Sequence, residues 1–253
     1  MTHTPAGDPV DVAGAGLLPA DAVVFIAAHL SRAETLTEWT DPSVLDENDP
    51  GRRDPELDIY APDARHVPPF GAEFVARFRA AQRARNERIT GWVLAELERL
   101  RAAGGVELER PFIVHRTMCD VRWLDPSVDP NDRRPNWTYL GDPRTANVGP
   151  VGLARFTTLR SWLSQWSLSH TRARGAVNAA RITRTPVLQV ENSADDAVPA
   201  THNRIVRDAL GTADASYHLI KGATHYYKGQ PEHMRECLDV VESWCAERGL
   251  LPG

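Results

Sequence analysis

Three short apolar runs limit the folds open to this chain more than any other feature. They are Ala22-Val-Val-Phe-Ile-Ala-Ala28, Pro186-Val-Leu-Gln-Val190 and Ser216-Tyr-His-Leu-Ile220. Each has the length of a buried strand and is bounded by small or polar residues. Runs of this kind suit a parallel sheet covered on both faces. Between the second and third runs, residues 199–210 place Ile205, Val206, Ala209 and Leu210 at helical spacing, and Gly211 is the expected stop. After the third run, 231–248 reads as an amphipathic helix with Met234, Cys237, Leu238, Val241, Trp244 and Cys245 on its apolar side. Strand, helix, strand, helix predicts an α/β sheet of about three strands.

The first run lies about 150 residues before the other two, too far for a plain connection between strands. The intervening chain, 30–183, has the character of a mainly helical cap or lid insertion. Asp-Pro and Pro-Pro dipeptides crowd 41–69 and 125–150, where they favour turns and break helices. Between these stretches a long helix is predicted over 72–103, with Phe74, Phe78, Ile89, Trp92, Val93, Leu97 and Leu100 along its apolar face and Gly104-Gly105 at its end. Arg77, Arg79, Arg83, Arg85 and Arg88 spread around that helix and are expected to be solvated. Pro111-Phe-Ile-Val-His115 reads as a strand or extended segment. An aromatic-rich helix is expected around Phe156, Leu159, Trp162, Leu163 and Trp166. Four of the seven tryptophans fall between 120 and 170, where they either form the core of the insertion or line a pocket.

Composition excludes several classes of function. With 34 acidic and 29 basic residues the net charge is -5, which is unfavourable for general nucleic-acid binding. The run 22–28 falls far short of the ~20 apolar residues that span a bilayer. The opening residues to Gly16 have neither a basic nor an apolar signal region. Three cysteines, with no CxxC spacing, fit a reducing cytoplasm rather than a disulfide framework or structural zinc. Asp46-Glu-Asn-Asp-Pro-Gly51 begins like a calcium loop, but Leu57 stands where the loop requires Glu. The expectation is therefore a cytoplasmic protein with no metal or other cofactor, no nucleic-acid partner and no membrane segment.

Two loops carry the chemistry. Glu191-Asn-Ser-Ala-Asp195-Asp196-Ala-Val-Pro199 follows the second strand, and Lys221-Gly-Ala-Thr-His225-Tyr-Tyr227 follows the third. In an open parallel sheet both loops emerge at the carboxyl edge, where ligands bind. A carboxylate there can accept the imidazole N–H, fix its tautomer and stabilise the imidazolium. Asp195 is the preferred acid. Asp196 is the alternative, and either could instead cap the following helix.

Thr185 to Pro199, with Gly222-Ala-Thr-His225 downstream, resembles the C-terminal third of the α/β-hydrolase fold. That family carries a strand, Gly-x-x-Asp-x-x-Val-Pro, a helix, a strand and Gly-x-x-His. The resemblance covers 184–248, and 22–29 is similar to the family's sixth strand. Asn192 stands where Gly is common. The resemblance implies a partial hydrolase core at 17–29 and 184–253 with a cap at 30–183. It also implies Asp195 and His225 as catalytic residues, and a small carbonyl ester-type substrate. Trp162 and Trp166, with Tyr226 beside the histidine, are the expected substrate-binding rings.

The family's nucleophile, a serine on a Gly-x-Ser-x-Gly elbow preceding the acid, is absent from this chain. Ser31, Ser43, Ser127, Ser161, Ser164, Ser167 and Ser169 lack the flanking glycines, as does Cys119. Three explanations remain open: a truncated or mis-started reading frame, a complementing N-terminal segment on another chain, and a non-catalytic homologue. The expected partners are a small-molecule substrate and either a second copy of the chain or the complementing segment.

Overall fold

A computed structural model describes residues 1–251 of the chain. Its elements, in chain order, are β1 (Val23–Ile26), α1 (Arg32–Trp39), α2 (Ala72–Ala103), β2 (Pro111–His115), α3 (Val121–Leu124), α4 (Pro143–Val148), β3 (Ala154–Thr158), α5 (Leu159–Gln165), α6 (Gly175–Ala179), β4 (Val187–Asn192), α7 (Ala200–Ala209), β5 (Ala215–Ile220) and α8 (Pro231–Ala246). They fall into two compact units. Unit 1 holds 1–16, 31–128 and 140–173, and unit 2 holds 17–30, 129–139 and the chain from 174 onward. The division read from the sequence differs at Leu30, 129–139 and 174–183, which belong to unit 2. No described helix is long and apolar enough to cross a membrane.

Unit 2 is a mixed α/β structure built on a parallel sheet ordered β1-β4-β5, with Val23 opposite Val187 and Val187 opposite Ala215. All six residues of the central strand β4 are buried, as an apolar run with neighbours on both edges requires. Leu188, Val190 and Ile220 pack with Ala223, Cys237 and Trp244, which brings the apolar side of α8 onto the sheet. The Trp244 indole N–H donates to Ser216 Oγ at 3.0 Å. On α7, His202, Asn203 and Val206 are buried, and the Gln189 amide donates to the Asn203 carbonyl at 2.9 Å. Gly211 is not the helix stop: Leu210 caps α7. A Cβ on Gly211 would lie 2.3 Å from the Ala180 carbonyl oxygen, so this position needs glycine for a close backbone approach.

Unit 1 is organised by α2, which spans the predicted 72–103 and ends in a left-handed Gly104. Phe78, Val93 and Leu97 are among its buried apolar positions. Between Phe78 and Ile89, however, the buried residues are Gln82, Arg85 and Asn86. The Gln82 amide donates to the carbonyls of Glu38, Thr40 and Cys119. Arg85 donates to the carbonyls of Asp41 and His115 and pairs with Glu47 at 2.7 Å. Asn86 donates to Thr37 Oγ1 and the Trp166 carbonyl. The expectation of a solvated arginine face holds for Arg77, Arg83 and Arg88, which are exposed, and is corrected at Arg85, which is 1% exposed, and at Arg79, which bonds the buried Asp120. The helix middle buries polar groups because irregular loops lie against it, and their carbonyls require donors.

Pro111–His115 is a strand, antiparallel to β3, with Ile113 opposite Phe156. The aromatic helix begins only at Leu159, where the Thr158 hydroxyl accepts the Ser161 N–H. The Ser31 hydroxyl caps α1 in the same way, accepting the Glu34 N–H at 3.0 Å. Cys119 is fully buried, and burial together with the Asp41 charge pushes its thiol well above the usual range.

Candidate active site

The site lies at the carboxyl end of β4 and β5 in unit 2. Beyond β4 the chain turns at Asp195, which is 2% exposed. Asp195 Oδ1 accepts the N–H groups of Ala197 at 2.8 Å and Val198 at 2.6 Å. Both bonds orient the carboxylate, and Oδ2 lies 3.0 Å from His225 Nδ1. Asp195 does not cap the following helix, whose N-cap Pro199 has no side-chain bond; one oxygen holds turn amides ahead of α7 and the other is the histidine partner. Asp196 does not bond the ring. Its Oδ1 accepts the His225 backbone N–H at 3.4 Å. Burial and the neighbouring Asp195 charge raise the Asp196 carboxyl above its ordinary value.

His225 sits just past β5 with its side chain 19% exposed. Burial lowers its pKa, but the Asp195 hydrogen bond and the charges of Asp195 and Asp196 outweigh this, so the imidazole titrates above its ordinary value. With Nδ1–H given to Asp195, the Nε2 lone pair is the free end of the ring. Nε2 has no hydrogen-bond partner among the described residues.

The two loops are tied together. Asn192, at the position where the resembled family commonly has Gly, donates to the Thr224 carbonyl at 3.0 Å and accepts from the Tyr227 hydroxyl at 2.9 Å. Ala194 N–H donates to the Ala223 carbonyl at 3.0 Å, and Gly222 N–H to Ser193 Oγ at 2.7 Å. Gly222 has φ +79°, a backbone state that side chains disfavour. Gln230 closes the histidine loop, accepting the Thr224 N–H and donating to the Gly222 carbonyl, each at 2.8 Å.

A third piece of the site went unrecognised in the sequence. Segment 129–139 belongs to unit 2 and straps the acid loop. Asn131 Nδ2 donates to the Asp195 carbonyl at 3.0 Å, and Tyr139 N–H to the Asp196 carbonyl at 3.3 Å. Asp132 accepts from Ser193 Oγ and pairs with Lys221, each at 2.5 Å. Asp129 accepts the Thr201 N–H at 3.1 Å. The Tyr139 ring stands 6.4 Å from His225 and 5.7 Å from Tyr226. Tyr226 in turn meets the His225 ring edge-on at 4.5 Å and is 63% exposed.

Of the rings expected to touch substrate, Tyr226 alone flanks His225. Trp162 and Trp166 stack at 5.4 Å inside unit 1, buried to 0% and 3% exposure, with the Trp162 N–H bonded to Thr90. Their packing is that of core residues. Among the described residues no three His, Cys, Asp or Glu side chains converge as metal ligands would. The arrangement can accept a proton at Nε2, hold the imidazolium and return the proton. It contains no engaged nucleophile, and the Ser193 hydroxyl is committed to Asp132 and Gly222. No protein-family model, curated protein or solved structure matches the chain.

Proposed function

We propose that this chain carries the acid–base half of an α/β-hydrolase-type enzyme that cleaves a small carbonyl ester, serving a serine nucleophile absent from these 253 residues. The observation that carries the reading is the buried 3.0 Å Asp195–His225 bond at the carboxyl edge of a parallel sheet, with Nε2 left free. Nε2 takes the proton of the attacking hydroxyl as its oxygen bonds to the ester carbonyl, and Asp195 stabilises the resulting imidazolium. The same proton then passes to the departing alkoxide. Tyr226 and Tyr139 stand beside the imidazole and would be the first aromatic surfaces an ester at Nε2 could meet. The lid role belongs to the long insertion in this reading, and the cytoplasm suits its three unpaired cysteines.

A second reading follows from the missing elbow: His225 activates water directly, as a slow general base. The two separate in one assay. Hydrolysis of p-nitrophenyl acetate by this chain is expected to be slow, abolished by His225→Ala and insensitive to fluorophosphonate. A longer polypeptide, or a second chain, that brings the serine should add a fast, fluorophosphonate-labelled rate. A labelled serine in this chain alone, or a rate unchanged by His225→Ala, would overturn the assignment.

A further inference from the structure

Unit 1 contains a cleft of about 640 Å3 that the proton-transfer site does not use. Every residue from Arg110 to His115 lines it. Neighbouring strand residues point to opposite faces, so a cleft touched by all of them runs along the strand's edge. β2 has one neighbour, β3, and its other edge faces the cleft.

Hydrogen-bond parity shows which backbone groups reach that edge. Arg116 N–H donates to the Leu153 carbonyl at 2.6 Å, and Leu159 N–H to the Arg110 carbonyl at 3.2 Å. Antiparallel pairs alternate between bonded and non-bonded. Positions 110, 112, 114 and 116 therefore bond toward β3, and 111, 113 and 115 turn their backbone groups outward. The His115 carbonyl confirms the direction, because it accepts Arg85 from outside the sheet. Ile113 is left with both an N–H and a C=O directed into the cleft. Neither has a protein partner among the described residues.

The walls are apolar and unusually exposed. Trp92, which meets Phe112 edge-on at 5.0 Å, is 42% exposed, and the cross-strand pair Ile113 and Phe156 are 49% and 72% exposed. The charges at the rim are unevenly spent. Glu47 is neutralised by Arg85 and Arg88; Arg110 pairs with Glu96 at 2.6 Å through one terminal nitrogen, and the Asp46 carboxylate at the Leu45–Asn48 side of the cleft accepts only a backbone N–H. The remaining N–H groups of Arg110 can take a carboxylate at its own end of the cleft, and the Asp46 end disfavours one.

We propose that the free edge of β2 binds an extended peptide as an added strand. Ile113 would pair with one peptide residue through both backbone groups, a bulky apolar side chain would rest against Trp92 and Phe112, and an acidic residue would face Arg110. Strand addition takes affinity from the backbone and specificity from alternate side chains. The site stands apart from the Asp195–His225 chemistry and does not depend on it.

The test uses the full chain and a fluorescein-labelled pentapeptide, Glu-Val-Phe-Val-Thr, read by fluorescence polarisation. Saturable micromolar binding is expected. Scanning N-methylation should produce an alternating pattern, with methylation of the amide that faces Ile113 weakening binding about tenfold or more and methylation of the next amide leaving it unchanged. Trp92→Ala should weaken binding at a temperature where the variant remains folded, its thermal melt falling only by the loss of the edge-on Phe112 contact. Absence of saturable binding, or equal loss from both N-methyl peptides, would overturn the proposal. A concentration-dependent dimer that the peptide dissociates would assign the edge to a second copy and likewise overturn the peptide as its natural occupant.

Discussion

At the scale of single residues, the acid–histidine pair has a consequence independent of catalysis. An exposed imidazole titrates near about 6.5. Asp195 lifts His225 above that value against the opposing effect of burial. A cation held more tightly in the folded state stabilises that state wherever it is protonated. The contribution is therefore complete below about pH 6.5 and fades as pH rises through the raised folded value. We expect the His225 ring proton, followed by NMR, to titrate above 6.5 in the parent chain. In Asp195→Ala the midpoint should fall, because burial then acts with one carboxylate fewer against it. An unmoved midpoint would mean that the 3.0 Å bond does not govern the ring. As a general base His225 must be neutral, so the ester hydrolysis proposed above should rise with pH through the same midpoint. The pair was legible because Asp195 and His225 each follow a strand at an offset that topology converts into proximity. Asn192 was legible only as a departure from the family's glycine. Its two bonds across the loops depend on Thr224 and Tyr227, more than thirty positions away, and nothing in local spacing signals them.

At the scale of elements, legibility follows the chemistry of what is buried. The strands of unit 2 form where expected because an apolar run buried on both sides advertises itself. α2 was legible from its ends, where Phe74, Phe78, Val93 and Leu97 keep helical spacing, and misleading in its middle. There the residues facing inward are Gln82, Arg85 and Asn86, whose partners are loop carbonyls. Hydrophobic periodicity registers apolar burial and has no means of registering a donor aimed at a carbonyl. β3 was overlooked for a related reason: Ala154-Arg-Phe-Thr-Thr158 has Phe156 facing outward at 72% exposure. The middle of α2 should be as sensitive to mutation as an apolar core. Gln82→Leu removes two N–H groups shared among three carbonyls and leaves those of Thr40 and Cys119 without that donor, while the Glu38 carbonyl keeps Arg79 at 3.3 Å. A buried acceptor left unpaired costs about 1–3 kcal/mol, so a loss of about 2–4 kcal/mol is expected in urea unfolding. Replacing Gln82 with a residue of higher hydropathy would raise stability if this face were simply an imperfect apolar one, and that outcome would refute the carbonyl-donor account.

At the scale of the whole molecule, the decisive property is where each sheet stops. β1 is bonded on one side only. Val23 N–H donates to the Pro186 carbonyl at 3.0 Å and Ala27 N–H to the Val190 carbonyl at 2.9 Å. Strand alternation then directs the backbone groups of Val24 and Ile26 away from β4. Those groups line an open edge, and the Ile26 side chain is 45% exposed beside it. An apolar edge without charge, proline or a bulge is a template for pairing with another chain. With a net charge of -5 the molecule has modest self-repulsion, which weakens further as pH falls toward 6.0, its calculated isoelectric point. The isolated chain should therefore associate with rising concentration, and more so near that pH. Ile26→Lys places a charge at the edge on a side chain that already meets solvent, so it should suppress the light scattering while shifting the unfolding midpoint little. If the complementing segment in our proposal adds its strand at β1, the same substitution should also block the rate gained on adding that segment, whereas Phe156→Lys, beside the β2 cleft, should leave it intact. A parent chain that stays monodisperse at high concentration and melts cooperatively would show that the β1 edge is already protected, and would remove the physical reason for expecting a strand there.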